Sequence, residues 1–280
     1  MVTRPKFLKK SLATYHPWLY HLMIFIKRVE RHLEWKSDGR EYAKTYEKSS
    51  FSFRVKKHQS VLIRKYSNNS DMQLQYNKVE NLKLVIEALD GIVIRPNETF
   101  SFYQLVGKPT EKRGFKRGME LSRGKARAGV GGGICQSSNL IYWLALHSPL
   151  EVVERHHHSF DPFPDTGRVL PFASGATVMY NYRDLRLYNP TKQSFQLRLW
   201  LDEKCLNGDL RSDQEMNVKY HVYEKNHRFE KKEESYFRTN ELWREVKNKG
   251  RGEADEKHEF LVLNYAEVKY VPNEFKEEKR

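Results

Sequence analysis

The residues best suited to chemistry form one run, Gly129-Val130-Gly131-Gly132-Gly133-Ile134-Cys135-Gln136-Ser137-Ser138-Asn139. Glycines supply unusual φ values and let backbone approach closely. A cysteine follows them, then the polar first turn of a helix. Backbone N–H groups at a helix start lack partners, and the dipole there favours negative charge. A thiol in that place is expected to have a lowered pKa and thiolate character. The opposing reading is a small buried hydrophobe beside a tight turn. A second run, Glu154-Arg155-His156-His157-His158-Ser159, follows a short apolar strand. In extended geometry Glu154, His156 and His158 share one face, and Arg155 and His157 the other. A neutral imidazole from this run can take the Cys135 proton or stabilise the thiolate as imidazolium. The spacing alone leaves open which histidine does so. Three adjacent histidines match no standard zinc spacing, so neither a metal nor another cofactor is expected.

These side chains need elements to hold them. Leu140-Ile141-Tyr142-Trp143-Leu144-Ala145-Leu146 is apolar on nearly every face, which predicts a buried central helix starting near Cys135. Val79, Leu82, Val85, Ile86 and Leu89 recur at helical spacing, with Asn77 and Glu80 placed as a cap and its partner and Gly91 as a stop. Ile92–Ile94, Thr99–Phe102, Leu150–Arg155, Thr177–Tyr180, Leu185–Tyr188 and Phe195–Leu201 read as strands, with Phe100 and Phe102 in the core. Asn207-Gly208 reads as a hairpin turn, with further strands at Val218–Val222 and Phe260–Leu263. Residues 36–76 read as an extended connector with one strand at Val61–Ile63, and residues 107–129 as a long loop. Residues 160–175, with Pro162, Pro164 and Pro171, read as an irregular surface loop, and the tail after Pro272 as frayed.

The expected fold is α+β: a central buried helix after a Gly-rich turn, packed on mainly antiparallel strands, with a β-rich C-terminal half. Three regions are expected: a basic N-terminal region over 1–70, a central domain over 71–200 and a β-rich extension over 201–280.

The 280-residue chain has a formal charge of +14, and residues 1–66 hold 16 Lys and Arg against 5 Asp and Glu. This arm suits an anionic surface. Residues 18–35 read as a basic amphipathic helix, able to lie on a membrane or dock on the protein's own core. Its apolar run is far short of the ~20 residues of a spanning helix, and no signal peptide is recognised. The expected location is cytoplasmic or peripheral to the membrane. No nucleic-acid module appears. Two cysteines, Cys135 and Cys205, make no disulfide framework.

A family resemblance is carried by several pieces in order: Asn77, Asn81-Leu82, Leu89-Asp90-Gly91, Pro96-Asn97-Glu98-Thr99-Phe100-Ser101-Phe102, Gly107, Gly131 through Ser138, Glu154-Arg155, His158-Ser159 and Ala176-Thr177-Val178. In these the chain resembles the VanW family over residues 70–200. The resemblance implies a bacterial protein of the cell envelope linked to glycopeptide resistance. It implies a cysteine-dependent acyl-transferase of L,D-transpeptidase type, or an amidase, acting on peptidoglycan peptides. Cys135 would then be the nucleophile and His158 the base, with Arg155 fixing a substrate carboxylate or the local geometry. Backbone N–H groups from Gly132 and Gly133 to Gln136 would form the oxyanion site, and Ser137, Ser138, Glu154 and Ser159 would line it. The alternative is a non-catalytic accessory protein that binds peptidoglycan precursors. Either way the expected partner is a peptidoglycan peptide or precursor, with peripheral membrane contact through residues 1–66 and no nucleic acid. Two features depart from the family. Gly175 stands where an acidic residue is usual, and the export signal or anchor of many longer members is not evident.

Overall fold

A computed structural model describes residues 17–63, 72–122, 125–157, 160–161, 169–250 and 256–275. The described residues begin with helix α1 (Pro17–Ser37), strands β1 (Glu41–Tyr42), β2 (Thr45–Tyr46) and β3 (Phe53–Val61), and helix α2 (Met72–Leu89). Strands β4 (Ile92–Ile94) and β5 (Glu98–Ser101), helix α3 (Phe102–Val106), and strands β6 (Arg117–Ser122) and β7 (Lys125–Val130) follow. Helix α4 (Cys135–Leu146) leads to β8 (Glu151–Glu154), β9 (Phe160–Asp161), β10 (Arg186–Tyr188), β11 (Phe195–Leu201) and β12 (Cys205–Ser212). Three long strands close the chain: β13 (Val218–Lys232), β14 (Ser235–Asn248) and β15 (Glu256–Val268).

The fold is α+β with a β-rich C-terminal half. One sheet has the order β2-β4-β11-β12-β3, a second β1-β5-β10-β8, and a third β13-β14-β15-β9. Pairing is mostly antiparallel, and β6 and β7 form a separate hairpin. Helix α4 packs across β3 and β12. Its residues from Leu140 to Leu146 are all buried, with Phe100, Leu187, Leu197 and Leu210 in the same core. This explains its all-round apolar sequence: each fully buried Leu or Ile contributes about 1.5–3 kcal/mol. Phe100 and Phe102 are fully buried, as core positions should be.

Several elements differ from their sequence reading. Asn207-Gly208 is no turn. It lies inside β12, where a Cβ on Gly208 would sit 2.8 Å from Leu140 Cδ2. The glycine is there because α4 presses on the sheet. Residues 107–129 are not a plain loop, since β6 and β7 pair in register from Arg117↔Val130 to Ser122↔Lys125. The strand in the 36–76 region runs over Phe53–Val61 and pairs with β12, so the stretch is more than a connector. Helix α2 begins five residues before Asn77. That side chain is therefore no cap, and it donates to the Arg117 carbonyl at 2.8 Å. Phe160–Asp161 joins β15 as a short parallel strand. The other parts of the 160–175 reading at 162–168, residues 1–16 of the basic arm and residues 276–280 of the tail lie outside the described residues.

Candidate functional site

The glycine turn is positioned by a buried amide. Asn81 on α2 is fully buried, and its Nδ2 donates to the Lys116 carbonyl at 2.9 Å and to the Gly132 carbonyl at 3.0 Å. Its Oδ1 accepts from the Lys116 N–H at 2.7 Å. One side chain thus clamps the entry to β6 against the turn. Close backbone approach completes the joint: a Cβ on Gly132 would meet the Gly118 carbonyl oxygen at 2.1 Å. Gly131 and Gly133 both have positive φ, at 77° and 90°.

Cys135 opens α4 and keeps part of its surface exposed. Its Sγ lies 3.6 Å from the Val178 carbonyl, to which the S–H donates. Atoms packed round the sulfur push the thiol pKa up. A backbone hydrogen bond at Val178 pulls it down, as do the residue's own N–H and Arg183 more weakly, but burial, to which Glu120 adds, prevails. Desolvation therefore outweighs the helix start, and the lowered pKa expected from the sequence is not what this environment produces. Tyr103 is buried nearby, and burial followed by the Cys135 charge raises its phenol pKa.

The surrounding polar groups are largely engaged. The Gln136 N–H donates to Gly133 at 3.1 Å and the Ser137 N–H to Ile134 at 3.0 Å. Gln136 Nε2 reaches Ser60 Oγ and the Val61 carbonyl, both at 2.9 Å, which ties the helix start to the end of β3. The Ser137 hydroxyl donates to the Ile134 carbonyl at 2.6 Å. The Ser138 hydroxyl donates to the Ala176 carbonyl at 2.6 Å. Both serines therefore bind backbone carbonyls. Asn139 Oδ1 accepts from the Ala176 N–H at 2.8 Å, and a Cβ on Gly175 would sit 2.5 Å from that oxygen. The glycine at 175 and this Asn139 contact belong together.

The Glu154–Ser159 run is held by a separate network. Arg31 of α1 donates to both Glu154 oxygens, at 2.6 and 2.7 Å. The Asp184 N–H reaches Glu154 at 2.9 Å, and Arg186 Nε lies 2.8 Å away. His156 Nε2 meets Glu154 Oε1 at 2.9 Å. Burial alone would raise the Glu154 pKa, but hydrogen bonds from His156, Arg31 and the Asp184 N–H outweigh it and hold the carboxyl at about 2. Glu154 is thus an ionised anchor. Arg155 Nε donates to the Gly175 carbonyl at 2.9 Å and Nη2 to the Ala173 carbonyl, while the guanidinium stacks 5.0 Å from the Tyr142 ring. These contacts brace the 173–175 segment. His158 and Ser159 lie outside the described residues.

One segment links the two runs. The Thr177 N–H donates to the His156 carbonyl at 2.8 Å, and Val178, the next residue, accepts from Cys135. The sequence did not point to Arg31, Tyr103 or Asp184, which come from α1, α3 and the approach to β10 and meet only in three dimensions. Asn81 stood in the quoted motif, and the signal was a polar residue on the apolar face of α2. Among the described residues, a metal-like grouping occurs only at Glu245, Glu256 and His258 in the third sheet, where Lys247 pairs with both carboxylates.

These features define an α+β protein with a glycine-bound, partly exposed cysteine at the head of its central helix. Residues 77–211 match the family model described as VanW like protein. The chain is 31% identical over 216 residues to the Vancomycin B-type resistance protein VanW of Enterococcus faecalis, covering 76% of this chain and 78% of that protein. It is 34% identical over 134 residues to the uncharacterized protein YoaR of Bacillus subtilis, covering 48% of this chain and 41% of that protein. No solved structure matches it. The chain belongs to the VanW family.

Proposed function

We propose that this protein acts in resistance to vancomycin-type glycopeptides as a non-catalytic binding protein for peptidoglycan peptides or precursors, with the glycine–cysteine turn as the contact surface. The resistance link follows its Enterococcus relative, whose name records vancomycin resistance. The observation that carries the non-catalytic reading is the Cys135 thiol itself: atoms packed round the sulfur raise its pKa by more than the backbone hydrogen bond at Val178 lowers it. A nucleophilic cysteine needs the reverse. The engaged N–H groups of Gln136 and Ser137 and the braced Arg155 support the same reading.

Cysteine acyl transfer is the second reading. Residues 176–178 favour it by holding the histidine run and the thiol to one segment. In that reading His158 takes the Cys135 proton as the sulfur attacks a stem-peptide carbonyl, the amide C–N bond breaks with that proton passing to the leaving amine, and a second amine attacks the thioester and releases the Cys135 thiol.

The test is the pH profile of Cys135 alkylation by iodoacetamide, in a Cys205→Ser background, beside calorimetric titration with a synthetic stem peptide. The expected result is a thiol pKa above the ordinary ~8.5, unmoved by His158→Ala, with peptide binding retained in Cys135→Ser. A pKa well below that value, raised by His158→Ala, would overturn the binding reading in favour of acyl transfer.

A further inference from the structure

Helix α1 is amphipathic in the reverse sense to a docked helix. Its polar side faces the protein. Arg31 is buried against Glu154 and donates to the Asn181 carbonyl at 2.8 Å, Arg28 lies over the Tyr180 ring at 5.5 Å, and His32 meets Asn181 at 2.8 Å. Its outer side is apolar. Trp18, Leu22, Phe25, Ile26, Val29 and Leu33 follow helical spacing along one stripe. They are between 39% and 64% exposed. A helix that serves only to cover a core turns its apolar stripe inward.

We infer that this stripe seats the protein on an anionic phospholipid surface, with α1 lying in the plane of the interface. Charge selects the occupant. Residues 1–16, directly before Trp18, carry Arg4, Lys6, Lys9 and Lys10 and no acidic residue. On the helix Lys36 adds an exposed cation, while Lys27 is exposed but paired with Glu30. A stripe of Trp, Phe and Leu beside a basic segment has the composition of an interfacial helix. A second copy is a poorer occupant, because stable dimers use roughly 20–30 residues a side. No described helix is long and apolar enough to span a membrane, which agrees with an in-plane seat. Arg31 joins the same helix to Glu154, so the seat is tied to the end of β8 that leads into the histidine run.

Co-sedimentation of the full chain tests this, with vesicles of phosphatidylglycerol and phosphatidylcholine against phosphatidylcholine alone. The expected result is binding to the anionic vesicles at least about tenfold tighter, weakened by salt. In the double variant Phe25→Asp, Leu33→Asp that binding should fall by about tenfold or more. Both positions are exposed, and an unchanged thermal melt verifies that the variant folds. Overturning results are no binding by the parent, equal binding to both vesicles, or binding unchanged in a folded double variant. A lipid-independent dimer in sedimentation velocity that the double variant abolishes would overturn it in favour of a second copy.

Discussion

Glu154 is the residue where burial and pairing compete most openly. Its pKa of about 2 lies well below the ordinary 4.5, so folding favours its ionised form. A carboxylate held down in this way adds stability above the unfolded pKa and loses it as pH falls towards the folded one. The contribution is about 3 kcal/mol at pH 7 and less than half of that at pH 3. Glu154→Gln also takes a carboxylate from Arg31 and Arg186, which keep Glu34 and, for Arg186, Asp38, so the cost falls at the lower end of the about 3–5 kcal/mol of a broken buried pair. Urea unfolding at neutral pH is expected to show a loss of that order, with a smaller gap between variant and parent at pH 3. An equal gap at both values would mean that Glu154 is not the ionised anchor. His156 shares this carboxylate, so the histidine nearest to Glu154 in the described chain is already committed to it.

At the scale of elements, the joint between α2, the β6–β7 hairpin and the head of α4 depends on Asn81. Its three hydrogen bonds serve backbone groups on two other segments. A buried polar group left without its partner costs about 1–3 kcal/mol. Asn81→Leu is therefore expected to lower stability by about 2–4 kcal/mol, by urea titration. Amide exchange should speed most at Gly132 and Gln136 if the loss is local to the turn. Exchange that rises evenly over all elements would argue against the clamp. Asp184 ties α3 to the approach to β10 in a comparable way, accepting from the Tyr103 N–H at 3.0 Å and from Ser101.

For the whole molecule, Asp184 and Glu154 pull the pH dependence in opposite directions. Burial raises the Asp184 pKa from 3.8 to about 6, despite hydrogen bonds from Ser101 and Tyr103. The folded state then binds more protons than the unfolded one between those values, so this group makes the fold less stable as pH rises through the window. The shift is worth about 3 kcal/mol. Asp184→Asn lacks the charge, so its stability relative to the parent is expected to improve by about 2 kcal/mol of this between pH 4 and pH 6. A constant offset over that range in paired denaturation curves would refute it. The sequence by itself determined the elements whose reasons are local. The apolar run at 140–146 required a buried helix, the spacing of residues 18–33 required an amphipathic one, and the ordered motifs carried the family. It did not reveal β3, whose partner β12 lies about 150 residues away and whose Arg54, Lys56 and Lys57 read as polar connector. Nor did it reveal that Gly208 yields to α4 rather than turning the chain. Only the tertiary structure decided the state of Cys135. A helix start favours the thiolate, but the groups packed over the sulfur come from distant segments, and their desolvation prevails. The outward face of α1 was settled in the same way, because Glu154 and Asn181 claim its polar side from a strand and a turn far along the chain.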